Sequence, residues 1–331
     1  MLSEVQADGL FSPLNGAGHL VLAVSGGPDS VALMILAAHW SAVSHVLLSV
    51  ATVDHGLRDS SAAEAQQVGQ WAAALELPHT TLNWTGEKPK TGLQEQARDA
   101  RYRLLTGYAI KIGASGIVTA HHADDQAETI LFRLARGSGL AGLAGMQTKS
   151  FRDGIDHWRP FLALAKSDLI AICAARDHRW IDDPSNRNEA FARTGLRRLA
   201  GLLEQQGLDR SALLRLGQRA ARANEALESQ TERFARDWPT HRGAGLFEGD
   251  ATYLGALPAE FALRLLAREI AAVTGSHEPL RLDRLEKAGE GLLSAIAAAT
   301  NFKTSLGGAL LTLDRLGRLH IAPEPPRRRG R

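Results

Sequence analysis

Short apolar segments alternate with longer amphipathic segments along the first half of the chain. The apolar runs are short enough for buried strands, and they fall at residues 19–24, 45–53, 79–84 and 116–120. Segments with helical spacing follow each of them, at residues 33–40, 62–75, 93–112 and 124–135. Strands that alternate with helices predict a parallel sheet with helices on both faces. The expected fold class is therefore α/β, with a doubly wound parallel sheet.

Three of the predicted strands end in a polar cluster. The sequence SGGPDS occupies residues 25–30, DHG occupies residues 54–56, and HHADD occupies residues 121–125. In an open parallel sheet, ligands bind outside the carboxyl ends of the strands. Because all three clusters fall at such ends, we expect one shared binding site along that edge of the sheet.

The first cluster, SGGPDS, has the composition of a phosphate-binding loop. Gly26 and Gly27 let backbone N–H groups turn inward, and the helix that follows adds its positive N-terminal end. Ser25 and Ser30 add hydroxyl donors, but no Gly-Lys-Ser/Thr follows, so this is not a Walker loop. Asp29 would repel a bare phosphate, which indicates Mg²⁺ bridging phosphate oxygens. The alternative is an ordinary strand–turn–helix junction in which Asp29 caps the helix.

The third cluster brings carboxylates of like charge together. Asp125 lies three residues before Glu128 and Asp124 lies four before it, so all three share one helix face. Such carboxylates repel each other unless a cation neutralises them, either a metal ion or the ammonium group of a substrate. The alternative is that the helix dipole favours acids in its first turn. That alternative leaves His121 and His122 unexplained, so the pattern favours a functional site.

Arginines form two further groups. Arg98 and Arg101 share a face of the helix predicted at residues 93–112, and arginine suits phosphate groups, although a solvated charged face is the simpler interpretation. The second group could contact an RNA backbone, but interspersed acids make a salt-bridged helix surface an equal alternative. Its members are Arg193, Arg197, Arg198, Arg210, Arg215, Arg219, Arg222, Arg233 and Arg236.

Composition limits the cellular setting. The chain has 331 residues, of which 44% are hydrophobic, enough for a large core and more than one domain. The formal net charge of +2 does not by itself indicate a nucleic-acid binder. The single cysteine, Cys173, excludes an internal disulfide and a cysteine-pair zinc site, which favours the reducing cytoplasm. We expect neither a signal peptide at residues 1–20 nor a membrane-spanning segment.

The pattern becomes mainly helical after residue 160. Helical spacing recurs at residues 166–178, 189–237 and 263–270. Residues 180–188 are predicted to form a turn-rich loop, and residues 305–321 a hairpin that turns at Leu316 and Gly317. The expected domains are an α/β domain at 1–200, a mainly helical domain at 201–322 and a disordered basic tail at 323–331.

Taken together, these motifs resemble a known family. SGGPDS resembles the SGGxDS loop of the N-type ATP pyrophosphatases, the PP-loop superfamily. Further motifs make the chain similar to the tRNA(Ile)-lysidine synthetase family: VDHGLR at 53–58, HHADDQAET at 121–129, RLARGSGLAGLAGM at 133–146, RPFL at 159–162 and DDPSN at 182–186. The resemblance covers about residues 20–200, with TSLGGALL at 304–311 as a looser match. It implies an adenine nucleotide alpha hydrolase-like fold.

The resemblance also implies a reaction. Members of this family use ATP to adenylate the carbonyl oxygen of the wobble cytidine of tRNA(Ile) with a CAU anticodon, releasing diphosphate. Free L-lysine then displaces AMP and forms lysidine. For this chain the resemblance therefore implies ATP and Mg²⁺ as cofactors, tRNA binding by residues 201–322, and a homodimer.

By the same resemblance, individual residues receive roles. The nucleotide phosphates and their surroundings are assigned to Ser25, Gly26, Gly27, Pro28, Asp29, Ser30, Asp54 and His55. Asp29 lies near the metal ion, and Arg101 contacts ATP or the activated base. Asp125 and Glu128 hold the lysine ammonium group. The catalytic set is Asp29, Arg101, Asp125 and Glu128, on a floor shaped by His121, His122 and Asp124.

Three other functions compete with this one. Thiolation of tRNA with the same loop would need catalytic cysteines, whereas Cys173 stands alone in an amphipathic helix. A non-catalytic nucleotide-sensing RNA binder would leave Asp125 and Glu128 without a cation. A metal-dependent phosphohydrolase leaves the SGGPDS loop without a role. The two metal ions of such a hydrolase would be bound by Asp54, His55, His121, His122, Asp124 and Asp125.

Overall fold

The computed structural model describes residues 4–86, 88–89, 91–182, 201–243, 245–276 and 280–325. The chain divides into two compact units. Unit 1 comprises Met1–Arg136 and Leu143–Gln218, and unit 2 comprises Gly137–Gly142 and Arg219–Arg331. Several predicted features lie outside the described residues: most of the DDPSN motif, Arg193, Arg197, Arg198 and the end of the basic tail.

Unit 1 is built on a six-stranded sheet. Its strands are β1 (His19–Ala23), β2 (Leu47–Asp54), β3 (His79–Asn83), β4 (Gly116–Val118), β5 (Lys149–Arg152) and β6 (Ile155–Trp158). Their order is β3-β2-β1-β4-β6-β5, and every neighbouring pair is parallel except β5 with β6. The chain moves outward from β1 in both directions, so a topological switch point lies between β1 and β4. The predicted fold class is confirmed.

The helices of unit 1 follow the strands as the sequence pattern predicts. They are α1 (Glu4–Phe11), α2 (Pro28–Ser44), α3 (Ser61–Ala74), α4 (Leu93–Lys111), α5 (Ala123–Ala135), α6 (Leu140–Leu143, shared with unit 2) and α7 (Lys166–Ala175). Helix α2 is apolar on nearly all sides because it lies in the core, where Val31, Leu33 and Met34 are fully buried. It begins earlier than predicted since Pro28 occupies the first helical position, for which proline is preorganised.

The hairpin of β5 and β6 was not predicted. Its strands are only four residues long, and β5 is polar and mostly exposed at the sheet edge. The sequence does carry a hairpin signal, because Asp153 and Gly154 both have positive φ, 52° and 83°. A two-residue turn with this geometry favours Asp-Gly.

Unit 2 combines helices with a second sheet. Its strands are β7 (Thr240–Gly243), β8 (Leu246–Asp250), β9 (Phe302–Leu306), β10 (Ala309–Leu313) and β11 (Arg318–Pro323), in the order β7-β8-β11-β10-β9. All pairs are antiparallel. The helices are α8 (Arg210–Asp237, which begins in unit 1), α9 (Ala251–Gly255), α10 (Ala259–Thr274) and α11 (Leu282–Ala297).

The predicted hairpin of residues 305–321 is confirmed as β10 and β11, and Leu316 and Gly317 lie in its turn. Strands β7, β8 and β9 were not predicted, and each is only four or five residues long. Leu265 and Leu292 of the helices are fully buried with Ile321 of the sheet, so unit 2 has a hydrophobic core of its own. Among the described helices, none has the length and apolar character needed to cross a membrane.

Candidate functional site

The SGGPDS loop forms a closed turn between β1 and α2. The hydroxyl of Ser30 accepts the backbone N–H of Ser25 at 3.1 Å and donates to the Gly27 carbonyl at 3.0 Å. Gly27 is the N-cap of α2, and Pro28 is its first residue. The first N–H groups of a helix lack acceptors within the helix, and the helix dipole is positive at this end. The loop therefore has the structure of an anion-binding site.

Gly26 has a conformation and surroundings that exclude other residues. Its φ is 89°, in the left-handed region that residues with a Cβ rarely adopt. A Cβ there would lie 2.6 Å from Cδ1 of Ile181 and 3.2 Å from Cγ2 of Val68. The N–H of Ile181 donates to the Gly26 carbonyl at 2.9 Å, which brings these residues close.

The acidic cluster forms the first turn of α5. His122 is the N-cap: its N–H donates to Oδ2 of Asp125 at 3.0 Å, and its Nδ1 accepts the N–H of Asp124 at 3.2 Å. Asp124 also accepts the N–H of Lys166 at 2.9 Å and Nη1 of Arg210 at 3.0 Å. Although burial opposes the charge, these two donors hold the pKa of Asp124 below its ordinary value. Asp124 therefore links the start of α5 to the first residue of α7 and the first residue of α8 by hydrogen bonds.

The phosphate loop and the acidic cluster meet at His122. Its Nε2 lies 3.5 Å from Oδ2 of Asp29 and 3.4 Å from Oδ2 of Asp125, and its side chain is only 6% exposed. Burial disfavours the imidazolium, but the hydrogen bond to Asp29 and the surrounding carboxylates outweigh it, so the pKa of His122 is raised. Burial raises the pKa of Asp125, His122 opposes that effect, and Asp29 and Glu128 add to it.

A second cation lies beside Asp29. Nζ of Lys166 is 3.9 Å from its Oδ2 atom. The other oxygen, Oδ1, is buried and has no hydrogen-bond partner among the described residues. Asp29 therefore has one oxygen facing protein cations and one available to a further ligand.

A cavity of about 260 Å³ opens between β1, β2 and α4. Ser25, Asp54, His55 and Arg101 line it together with apolar side chains such as Leu105. Burial lowers the pKa of Arg101, and it lowers the pKa of His55 with a further contribution from Arg101. The structure thus brings together four of the residues expected at a nucleotide site. Its mix of apolar walls and polar groups suits a nucleoside.

A neighbouring cavity of about 280 Å³ holds the two acids that were expected to bind an ammonium group. Asp125 and Glu128 line it, and Arg98 lines it as well. The remaining lining residues are His121, Thr129, Phe132, Arg133 and Met146. Phe132 and Met146 give it apolar surface for an aliphatic chain.

His121 is a neutral residue in the same region. Burial and the positive charges of Arg101, Arg159 and Arg98 lower its pKa to about 3. Its Nδ1 lies 2.8 Å from Oγ1 of Thr119, which fixes the ring. His121 therefore shapes the cavity and does not balance the acids.

Three residues near the site had no predicted role in it: Lys166, Arg159 and Arg210. Lys166 is the first residue of α7, and its place beside Asp29 depends on the packing of that helix. Arg210 binds Asp124 across 86 residues of sequence. No local pattern links residues so distant along the chain, so only the fold could show these contacts.

Comparison with known proteins supports one family. Residues 2–202 match the family model of the PP-loop domain, which supports the use of ATP. The chain is 51% identical to the tRNA(Ile)-lysidine synthase of Methylobacterium sp. (strain 4-46), over 95% of this chain and 91% of that protein. It is 47% identical to the enzyme of the same name from Bradyrhizobium diazoefficiens, over 99% of this chain and 96% of that protein. The chain belongs to the tRNA(Ile)-lysidine synthase family.

The fold agrees with this family assignment. The structure of U34-tRNA thiolase NcsA from Methanococcus maripaludis, with its [4Fe-4S] cluster, matches with a TM-score of 0.54. The match covers 65% of this chain and 78% of that one at 12% identity, so it shows the fold alone.

The competing hydrolase function is not supported in this lysidine synthase family member. The proposed metal ligands are not all together: Asp54 and His55 line the cavity beside Arg101, while Asp124 and Asp125 surround His122. Across the described residues, no group of three His, Cys, Asp or Glu side chains is arranged to bind a metal ion.

A thiolation mechanism based on the protein's cysteine is also disfavoured. Cys173 is fully buried, and its Sγ lies 3.4 Å from the Pro28 carbonyl. Burial raises its pKa to about 11, so the nucleophilic thiolate is scarce at neutral pH.

Proposed function

We propose that this chain is an ATP-dependent ligase that joins L-lysine to the wobble cytidine of tRNA(Ile) with a CAU anticodon. Family membership supports the reaction. The contact of His122 with both Asp29 and Asp125 carries the proposal, because it joins the phosphate loop and the acidic cluster into one site. The lone cysteine supports a cytoplasmic location.

In the first step, the carbonyl oxygen of the cytidine attacks the α-phosphate of ATP. The bond to the β-phosphate breaks, and diphosphate leaves. Residues 25–30 bind the departing phosphates at the start of α2, and Arg101 compensates the charge that develops on the α-phosphate. Asp54 and His55 hold the nucleoside in the adjoining cavity. Adenylation converts the carbonyl oxygen of the cytidine from a poor leaving group into a good one.

Mg²⁺ fits the residues around Asp29. Magnesium sites that contact nucleotides use one or two carboxylates together with substrate phosphates. The buried Oδ1 atom of Asp29, without a partner among the described residues, is a suitable ligand. When bound, the ion neutralises phosphate charge. His122 and Lys166 meanwhile neutralise the second oxygen of Asp29.

In the second step, an amino group of lysine attacks the activated cytidine, and AMP leaves. Asp125 and Glu128 bind the incoming ammonium group, and the apolar part of their cavity accommodates the aliphatic chain. The amine must lose a proton before it attacks. Asp125 is suited to accept that proton, because burial raises its pKa above the ordinary value of a carboxyl group.

The rest of the substrate is a folded RNA, which requires a larger surface. We assign tRNA binding to residues 201–322, where α8 carries Arg215, Arg219 and Arg222. We also infer a homodimer from the family. Charge reversal at Arg215 and Arg219 should weaken tRNA binding and reduce its salt dependence, whereas an unchanged salt slope would assign these arginines to the helix surface alone.

The deciding experiment measures diphosphate release. Purified protein is mixed with ATP, Mg²⁺, lysine and total tRNA, and each component is omitted in turn. Lysidine synthesis predicts sustained diphosphate release that needs both lysine and tRNA, because lysine regenerates the free enzyme by displacing AMP, and Asp29→Ala should abolish adenylate formation. Hydrolysis of ATP or of phosphoesters without tRNA, or no turnover at all, would refute the proposal.

A further inference from the structure

A group of arginines surrounds Tyr102, beside the cavities described above. The guanidinium carbons of Arg98 and Arg152 lie 5.3 Å and 5.9 Å from the centre of its ring. Tyr102 belongs to α4 and is buried, so it is a fixed platform for both side chains. Arg98 is exposed, and the side chain of Arg152 is 61% exposed. Both cations can therefore be reached from solvent.

Arg159 extends this group toward the sheet edge. Its Nη1 donates to the Gln147 carbonyl at 2.9 Å and to Oγ of Ser150 at 3.0 Å, which fixes the guanidinium against β5. Burial lowers the pKa of Arg159, and the charge of Arg98 lowers it further, so these like charges lie close to each other.

Few acids compensate the arginines. Asp153 pairs with Arg152 at 3.1 Å, but both side chains are exposed and such pairs contribute little. Asp156 pairs with Lys149. This pair lies on the opposite face of the β5–β6 hairpin from Arg152, so it does not neutralise the arginine group. In the part of the chain that the structure describes, no ion pair includes Arg98 or Arg159. Clustered arginines with so few carboxylates are suited to bind phosphate groups.

The position of the group indicates which phosphates it binds. A triphosphate on the loop after β1 accounts for Arg101, which lines the nucleotide cavity. It does not account for Arg152, at the end of the outermost strand, β5. Arg98 also lines the cavity of Asp125 and Glu128, where the nucleotide to be modified would react. A nucleic-acid strand continues on both sides of that nucleotide and can reach the hairpin.

We propose that Arg98, Arg152 and Arg159 bind backbone phosphates of the RNA strand next to the nucleotide that is modified. The inference rests on the proposed function, since it takes RNA as the substrate. It assigns the β5–β6 hairpin and α4 as a single RNA-contacting surface within unit 1. This surface carries no base recognition, because contacts to phosphates position a nucleic acid without reading its sequence.

The test is the binding of unmodified tRNA(Ile) to the full chain at several salt concentrations, without ATP or lysine. Arg98→Met and Arg152→Met should each weaken binding several-fold and reduce the slope of log Kd against log salt by about 0.7 per lost contact. Arg98→Lys should retain the slope. Arg103→Met is the matched control, because Arg103 is an exposed arginine of α4 that is not stacked on Tyr102, and it should match the unaltered chain.

Unchanged affinity and slope in both Met variants, with unchanged thermal unfolding, would overturn the proposal. A loss of ATP affinity in Arg152→Met without a loss of tRNA affinity would also overturn it, because Arg152 would then bind the phosphates of ATP and not those of the RNA backbone. Diphosphate release by the unaltered chain tests the proposed function separately. If sustained release does not need lysine and tRNA while the arginine variants still reduce the salt slope, the proposed function fails and the phosphate site is retained.

Discussion

Three carboxylates share one buried imidazole at the centre of the site. Asp29, Asp124 and Asp125 each have an oxygen within 3.5 Å of a ring nitrogen of His122. Asp124 also accepts the backbone N–H of Lys166 and the guanidinium of Arg210, and these donors stabilise its charge within the protein. Asp125 keeps a raised pKa despite the histidine. Asp125 and Glu128 line one cavity, so both carboxylates attract a cation that binds there, and this attraction lowers the free energy of the site.

Glu128→Gln tests this distribution of charge. The substitution keeps the shape of the side chain and removes its charge, so the KM for lysine should rise about 10- to 100-fold, as expected for one hydrogen bond to a charged group. Adenylate formation from ATP and tRNA should keep its rate, since Glu128 does not line the nucleotide cavity. Diphosphate release is measured against lysine concentration, with the exposed acid variant Glu95→Gln as the control. Equal lysine dependence in all three proteins would contradict the assignment.

His122 should make stability depend on pH. Because its pKa is raised in the folded chain, its stabilising contribution is complete below the ordinary value of 6.5 and is lost as pH rises through the raised value. His122→Asn retains an N-cap acceptor but cannot titrate. The difference in the free energy of unfolding between the two proteins should therefore shrink as pH rises. Denaturant unfolding without nucleotide or divalent metal measures it, and a difference that stays constant with pH would exclude the raised pKa.

At the scale of elements, the loop between β1 and α2 depends on one backbone conformation. Gly26→Ala places a Cβ at a φ of 89° and against Ile181, whereas Gly16→Ala has a similar φ of 86° and no neighbour within 4 Å. Both variants should lose about 1–2 kcal/mol of stability from the left-handed conformation. Only Gly26→Ala should also weaken ATP binding, because it displaces the phosphate loop. Calorimetry of ATP binding separates the two, and equal ATP affinities would show that the loop tolerates the Cβ.

The elements that position the site could be predicted because each strand end carries its own local signal. The apolar run at residues 19–24 is followed closely by two glycines, and the run at residues 116–120 is followed by two histidines. The end of each apolar run therefore indicates the end of a strand. The meeting of these ends follows from the sheet order, in which β1 and β4 are neighbours. The contacts of His122 with Asp29 and of Lys166 with Asp29 depend on rotamers and on the packing of α7, which no sequence pattern encodes. The β5–β6 hairpin was missed although its Asp-Gly turn was visible.

For the whole molecule, the decisive feature is that each unit has its own hydrophobic core. Leu22 of β1 lies in the core beneath the phosphate loop, and Leu265 of α10 lies in the core of unit 2; both are fully buried. Replacing either by alanine leaves a cavity that costs about 2–5 kcal/mol in the unit concerned. A nucleotide that binds only folded unit 1 adds about 2.7 kcal/mol at 100 times its Kd.

Thermal unfolding should therefore separate the two units. We expect two transitions, of which ATP raises only one, and Leu22→Ala should lower that same transition. Leu265→Ala should lower the other transition and leave ATP affinity unchanged, because no residue of unit 2 lines the nucleotide cavity among the described residues. Differential scanning calorimetry with and without ATP measures both. A single transition that both substitutions lower equally would mean that the units unfold together, and the ligase site would then share its stability with the C-terminal sheet.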